Sequence, residues 1–338
     1  MTLLKPFASA SYLSQVRRLR DLANRALMRY PIRVRSCTLI SHWENTTFRV
    51  ISTTGKMFLL RVHRHAYHTK HAILEELQWL EKLSARGTVK VPDPVRSNDG
   101  HLVELVGSPQ VTENRHCCLF RWIDGRFIDK SVGVQHLSQL GDVIGELQSS
   151  TVEVPVVHRR YWDAEGLVGT HPKFGSIDTL EGISGKTQDV ISRARELVLR
   201  RLRRFEKAFP EKQGLIHADL HFGNLLMTRD GIAVIDFDDC GFGFHVYDLA
   251  VNLGVVDFMA RRRKELRYTR LKDALIQTYA NKMSWDRHDE AMLPFFMTAR
   301  KLLMLGWLNS RSDNPLLKKR LKSAATRTVT FLKREYDL

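Results

Sequence analysis

The densest chemistry in the chain lies in His217-Ala218-Asp219-Leu220-His221-Phe222-Gly223-Asn224 and in the Val234-Ile235-Asp236-Phe237-Asp238-Asp239 that follows it. A short apolar run, Gly214-Leu215-Ile216, delivers His217 and Asp219 into a loop, and Asn224 leads out of that loop toward a hairpin ending at Asp236. An Asp, an Asn and a second Asp offer hard oxygen ligands of the kind Mg²⁺ takes when it also holds nucleotide phosphates. The first of them, Asp219, is left to accept a hydroxyl proton and orient the attacking oxygen. Positioning a hydroxyl in line and neutralising developing charge with a metal are what phosphoryl transfer requires. Turn or capping duty is the plain alternative for an Asp in a loop. The joint presence of both carboxylates, the Asn and the flanking apolar runs favours chemistry. Asp238 and Asp239 either extend this set or face solvent.

Elements must hold such a loop, and the chain supplies two kinds. Tyr12-Leu13, Val16, Leu19 and Leu22-Ala23 form an apolar stripe at helical spacing. From Arg33 to Val62 the sequence is rich in Val, Thr, Ile and Phe, with a hairpin turn expected at Thr53-Thr54-Gly55-Lys56. Helical spacing returns from Lys70 to Leu83, and Val91-Pro92-Asp93-Pro94 stops it. Strands are expected at His101–Val106 and His116–Trp122. Beyond Gly125 the patterns are mainly helical: 136–149, 187–209, 246–258, 264–281, and one helix from Ala291 to the C-terminus. The result is a small β-rich lobe with one helix, then a larger helical lobe holding one small hairpin, with the boundary near 121–125.

The first lobe carries a pair of its own. Period-2 alternation in Phe58–Val62 puts Leu59 and Arg61 on one face, an apolar roof for adenine beside a cation for phosphate. In the next helix Glu76 flanks the buried stripe of Ile73 and Leu80 and is placed to pair with Arg61, whereas Glu75, roughly 100° further round, faces water. The alternative for Arg61 is an ordinary surface position on an edge strand.

These residues resemble a known family. The H-x-D-x-x-x-x-N of 217–224, the Ile235-Asp236-Phe237 after it and Tyr247-Asp248-Leu249-Ala250 are similar to the aminoglycoside phosphotransferase/choline kinase family of the protein-kinase-like fold. Glu44 to Val50, Phe58 to Val62, Glu76 to Leu83, Val91-Pro92 and Ile123-Asp124-Gly125 fall in family order, so the resemblance covers roughly residues 35–260. It implies an α+β, two-lobed fold, with a nucleotide-binding lobe over 1–122 and a helical lobe over 123–338. It implies Asp219 as catalytic base, Asn224 and Asp236 as Mg²⁺ ligands, and His217 and Asp248 as supports of the catalytic loop. ATP would then be held by Glu44, Asn45 and Thr46 over the phosphates, by Leu59, Arg61 and Glu76, and by the connector Phe120-Arg121-Trp122 at the adenine edge. The chain departs from the pattern where relatives carry Lys and it has Arg61, a wider, always-charged fork. It also lacks the G-x-G-x-x-G of protein kinases.

Composition bounds the remaining readings. The chain has 338 residues, 43% hydrophobic and 27% charged, which excludes disordered and collagenous classes. Its 53 Lys+Arg against 37 Asp+Glu give +16, a balance that favours anionic partners. Four cysteines without a C-x-x-C pattern fit a reduced, cytoplasmic protein. No secretion signal is expected from the first residues, and Leu249–Ala260, taken as the most apolar window, is too short to span a membrane. His63, His65, His68 and His71 are expected in a solvated loop and not at a metal, since no Cys or carboxylate completes a ligand set.

The leading expectation is an ATP- and Mg²⁺-dependent kinase acting on a small-molecule hydroxyl, the acceptor anionic or zwitterionic before polycationic. The alternatives are a Ser/Thr protein kinase of the bacterial stress-response type, and a non-catalytic nucleotide- or RNA-binding protein. The last would use the arginine face of 187–209 and the Lys318–Arg327 patch; such faces are by default solvated, so a nucleic-acid partner is not favoured.

Overall fold

A computed structural model describes residues 6–128, 132–149, 157–170, 172–263, 267–312 and 314–336. Of these, 6–126, 157–158 and 233–238 pack as one unit, and 127–149, 159–232 and 239–336 as a second. The change of unit after 126 lies just beyond the expected 122/123, and two later stretches return to the first unit.

The first unit is built on an antiparallel sheet. Its strands are β1 (Val34–His42), β2 (Thr46–Ser52), β3 (Met57–Val62), β4 (Pro94–Val95), β5 (Glu104–Ser108) and β6 (Val111–Arg121). They run in the order β1-β2-β3-β6-β4, with β5 also on β6. The β2–β3 turn closes at Gly55, whose φ of +82 suits a residue without Cβ. Helix α1 (Tyr12–Leu27) lays Leu19, Leu22, Ala23 and Ala26 against Phe48, Val50, Leu60 and Leu119 of the sheet. Helix α2 (Lys70–Arg86) starts at Thr69, whose hydroxyl accepts from the Ala72 N–H at 3.2 Å, and stops at left-handed Gly87. It buries Ile73, Leu77 and Leu80, the stripe legible in the sequence.

After β7 (Arg126–Phe127) the second unit adds α3 (Val134–Ser149), β8 (Tyr161–Trp162), α4 (Ala164–Val168), α5 (Gly185–Ala208) and β9 (Gln213–Ile216). Then come β10 (Leu225–Thr228), β11 (Gly231–Val234), whose last two residues belong to the first unit, β12 (Gly241–Phe244), α6 (His245–Ala260), α7 (Tyr268–Tyr279), α8 (Arg287–Asn309) and α9 (Pro315–Tyr336). Strand β12 pairs antiparallel with β9 and parallel with β8. The core gathers Trp162, Val198, Leu202, Phe205, Phe244, Tyr247, Phe296 and Leu302.

Two expectations about helices change. The single helix from Ala291 onward is two, because the chain stops at Asn309 and restarts at Pro315, a residue suited to a first turn and not to a helix interior. Among the described residues, helix α8, and not Leu249–Ala260, is the segment long and apolar enough by composition to cross a membrane, but it is mostly buried in the core of its unit. The expected start of a helix at Lys264 lies outside the described residues, and α7 begins at Tyr268.

Candidate active site

In the first unit, β3 is flanked by β2 and β6, so Arg61 is on a central strand and not an edge. Its Nη2 donates to Glu76 Oε1 at 2.7 Å, the pairing expected from strand and helix periodicity. Its guanidinium also lies over the Phe120 ring, 5.0 Å from the centroid, and 3.9 Å from Asp238 Oδ1. Burial works against the Arg61 charge, but Glu76 and Asp238 outweigh it and raise the pKa. Asp236, at a left-handed φ of 64, adds its field to the same guanidinium.

Two surface expectations are corrected here, and one left open, that of Asp238, is decided. Glu75 does not face water: residues 157–158, distant in sequence, cover that side of α2, and its carboxylate accepts from the Val157 and His158 N–H groups at 3.0 Å and meets His158 Nδ1 at 2.7 Å. His63 and His68 are not in a solvated loop. His63 is buried and the His68 side chain is only 4% exposed, and they lie 3.7 and 3.6 Å from the carboxylate of Asp238. Asp238 itself is buried and not solvated. Burial would raise its pKa, but the neighbouring His68 and the charge of Arg61 hold it well below the usual carboxylate range.

The residues expected over the phosphates sit at the β1–β2 turn. Glu44 Oε2 accepts from Arg64 Nη1 at 2.9 Å, and Asn45 Oδ1 accepts from the Arg64 N–H at 3.2 Å. Thr46 is buried, its hydroxyl 2.7 Å from His42 Nδ1. In the connector, the Arg121 N–H donates to Asp93 O at 2.9 Å and the Trp122 N–H to Met57 O at 3.2 Å. Leu59 pairs with Phe120 across the β3–β6 ladder.

In the second unit the residues expected to form the catalytic loop are held from below. Asp248, on the first turn of α6, accepts from the His217 N–H at 2.9 Å and the Ala218 N–H at 2.8 Å, with Gln148 Nε2 on the same carboxylate at 3.2 Å. Gln148 is in turn bound by the Tyr279 hydroxyl at 2.8 Å. These bonds keep Ala218 at φ 66, a conformation that costs roughly 1–2 kcal/mol for a residue with a Cβ. Burial pushes the Asp248 carboxyl up, opposed by His217 and the two amides. The turn directs Asp219 outward: Asn224 Nδ2 donates to Asp219 O at 3.0 Å and to Oδ2 at 3.2 Å, and Arg300 Nη2 donates to Oδ1.

The donor chemistry fits a divalent cation. With Nδ2 turned to Asp219, Asn224 has Oδ1 to offer as a hard oxygen. Asp239 pairs instead with the buried Lys173 at 2.6 Å.

Residues 36–287 match the model of the phosphotransferase enzyme family. The chain belongs to that family. It is similar, at 31% identity and a TM-score of 0.80 over 94% of this chain and 98% of the other, to the structure of a microcompartment-associated aminopropanol kinase. An amicoumacin kinase of Bacillus subtilis (strain 168) is 25% identical over 236 residues, 68% of this chain and 65% of that protein. An amicoumacin kinase solved with AMP-PNP, Ca²⁺ and Ami shares the fold, with a TM-score of 0.77 at 20% identity over 96% of this chain and 97% of that one.

The chain is thus a phosphotransferase of the aminoglycoside phosphotransferase/choline kinase type with a protein-kinase-like fold, as its motifs implied. Sequence reading missed Arg300 in this phosphotransferase. A signal was present: Arg300 stands at helical spacing with Leu293, Phe296, Met297 and Leu303, all buried, and an arginine on such a stripe needs a partner.

Proposed function

We propose that this phosphotransferase is an ATP- and Mg²⁺-dependent kinase of a small-molecule hydroxyl. The observation that carries the proposal is the orientation of Asp219, aimed by Asn224 and Arg300 from a loop fastened to Asp248. In this reading Asp219 orients the acceptor hydroxyl and takes its proton. The acceptor oxygen bonds to the γ-phosphorus as the bond from that phosphorus to the β–γ bridging oxygen breaks, and ADP leaves with the electron pair. Arg61, aligned by Glu76, holds phosphate, and Leu59 with the 120–122 connector receives adenine. At the connector the Arg121 and Trp122 N–H groups already serve the fold, so carbonyl oxygens there are the groups offered to the adenine amine. The 44–46 turn covers the phosphates. Asn224 and Asp236 would hold Mg²⁺, which neutralises charge on the transferred group. His217 and Asp248 keep the loop in shape.

The related kinases, one of aminopropanol and one of amicoumacin, support a small molecule over a protein as acceptor. The test is Asp219→Asn. Its kcat with any accepted hydroxyl compound should fall about 10²–10⁴-fold, the usual contribution of a general base, while calorimetric Mg·ATP affinity stays near wild type. Unchanged turnover would remove Asp219 from the mechanism, and absence of Mg·ATP binding in the wild type would end the proposal.

A further inference from the structure

The turn between β4 and β5 brings together three ligand-bearing side chains that the kinase reading leaves unused. Ser97 closes the turn: its N–H donates to His101 O at 2.8 Å, and its Oγ accepts from the His101 N–H at 3.1 Å. Gly100, at a φ of +81, makes the reversal that carries Asp99 and His101 up to the start of β5, where Glu104 stands. One ligand atom from each of Asp99, His101 and Glu104 can be chosen so that all lie within 4.8 Å of one another.

Glu104 is the member that an ordinary surface cluster does not explain. Its side chain is only 9% exposed, and its Oε1 is buried with no hydrogen-bond partner. The chain carries +16, yet among the described residues no lysine or arginine pairs with this carboxylate. What Oε1 faces is His101 Nδ1, 3.4 Å away and without the alignment of a hydrogen bond. Buried carboxylates are normally hydrogen-bonded, paired with a cation or bound to a metal. His101 and Asp99 are exposed, so an ion can enter from solvent.

The spacing is that of ligands sharing an ion. Two donors about 2.0–2.1 Å from a tetrahedral ion stand roughly 3.3–3.4 Å from each other, and Glu104 and His101 are separated by that much. One imidazole with two carboxylates suits Zn²⁺ and its divalent transition-metal neighbours, whereas Mg²⁺ and Ca²⁺ prefer oxygen alone. Three protein ligands leave the fourth tetrahedral position to water. The two carboxylates balance the charge of a dication.

We propose that Asp99, His101 and Glu104 form a Zn²⁺-type site that pins the β4–β5 turn to its sheet. The site uses none of the residues assigned to nucleotide, acceptor hydroxyl or Mg²⁺, so it does not depend on the kinase reading.

The test titrates Zn²⁺ by calorimetry into the full chain, freed of metal with a chelator and dialysed, and follows thermal unfolding with and without the ion. Wild type should bind a Zn²⁺ that His101→Asn, Asp99→Asn and Glu104→Gln each weaken by more than the roughly 10- to 100-fold typical of losing a supporting partner. Asp236→Asn should bind this ion as wild type does. Zn²⁺ should raise the unfolding midpoint of wild type and leave that of His101→Asn in place. His101 and Asp99 are exposed, so these two variants keep the fold even if Glu104→Gln does not. Equal Zn²⁺ affinity in wild type and His101→Asn overturns the proposal, as does an absence of Zn²⁺ binding. A plain ion pair between His101 and Glu104 would give a different pattern, with His101→Asn less stable than wild type in the absence of ion and no Zn²⁺ shift in either protein. That result overturns the proposal as well.

Discussion

At the scale of single residues, the Arg61–Glu76 pair is the sharpest place to probe nucleotide handling. Both side chains are buried, they meet at 2.7 Å, and Arg61 also faces Asp238. Losing Glu76 frees the guanidinium to turn toward Asp238, while losing Arg61 leaves a buried carboxylate without its cation. The two changes should therefore be non-additive, with a coupling of about 0.5–3 kcal/mol in a double-mutant cycle on kcat/KM. Arg61→Lys keeps charge and discards the fork, so ATP use should fall but survive. Simple additivity in the cycle would mean that the pair serves the fold and not the nucleotide. This pairing was legible in the sequence because strand and helix periods each choose a face. The neighbouring Glu75 was misread for the complementary reason: periodicity says which side of a helix meets its own sheet, and residues 157–158 cover the other side from far along the chain.

At the scale of elements, the 217–224 loop depends on three helices that support it from below. Asp248 on α6, Gln148 on α3 and Tyr279 on α7 form one hydrogen-bonded line beneath Ala218. The line requires α3 and α7 to approach closely, and Gly141 is what allows it. A Cβ there would stand 2.0 Å from Leu275 O and 2.3 Å from Thr278 Oγ1. Gly141→Ala must push the two helices apart, and overpacking of this kind costs about 1–3 kcal/mol. Urea denaturation should show that loss in the midpoint, with kcat reduced in the folded enzyme because Tyr279 and Gln148 move with their helices. A variant as stable and as active as wild type would mean that the crossing is looser than its geometry.

For the molecule as a whole, charge is the dominant quantity. The net +16 makes each further buried cation costly, and Lys173 is one, only 2% exposed at its side chain. Burial pulls its pKa from the ordinary 10.5 down to about 8, with Asp239 opposing the shift. The unfolded chain therefore binds this proton more tightly than the folded one, so stability rises with pH between about 8 and about 10.5. Thermal unfolding of wild type compared with Lys173→Met should show the wild type gaining in relative stability across that window. A constant difference between the two curves would show that the ion pair with Asp239 keeps Lys173 charged throughout.

The sequence alone determined the family, the two kinds of lobe and which residues stand as candidates for the chemistry. Asp219, Asn224, Asp236, Arg61 and Glu76 follow from local spacing, as do the β-rich and helical halves, because local spacing sets turns, strand faces and helix stripes. Only the tertiary structure decided what lies across from them. It split the last helix at Pro315, joined residues 233–238 to the first unit, buried His63 and His68 against Asp238, and brought Arg300 to Asp219 from 81 residues away. Those outcomes rest on burial and on charge pairing between segments distant in sequence, for which neither period nor motif has a term. The carboxyl grip of Arg300 is visible once α8 packs against α6, and that packing places a desolvated cation beside Asp219.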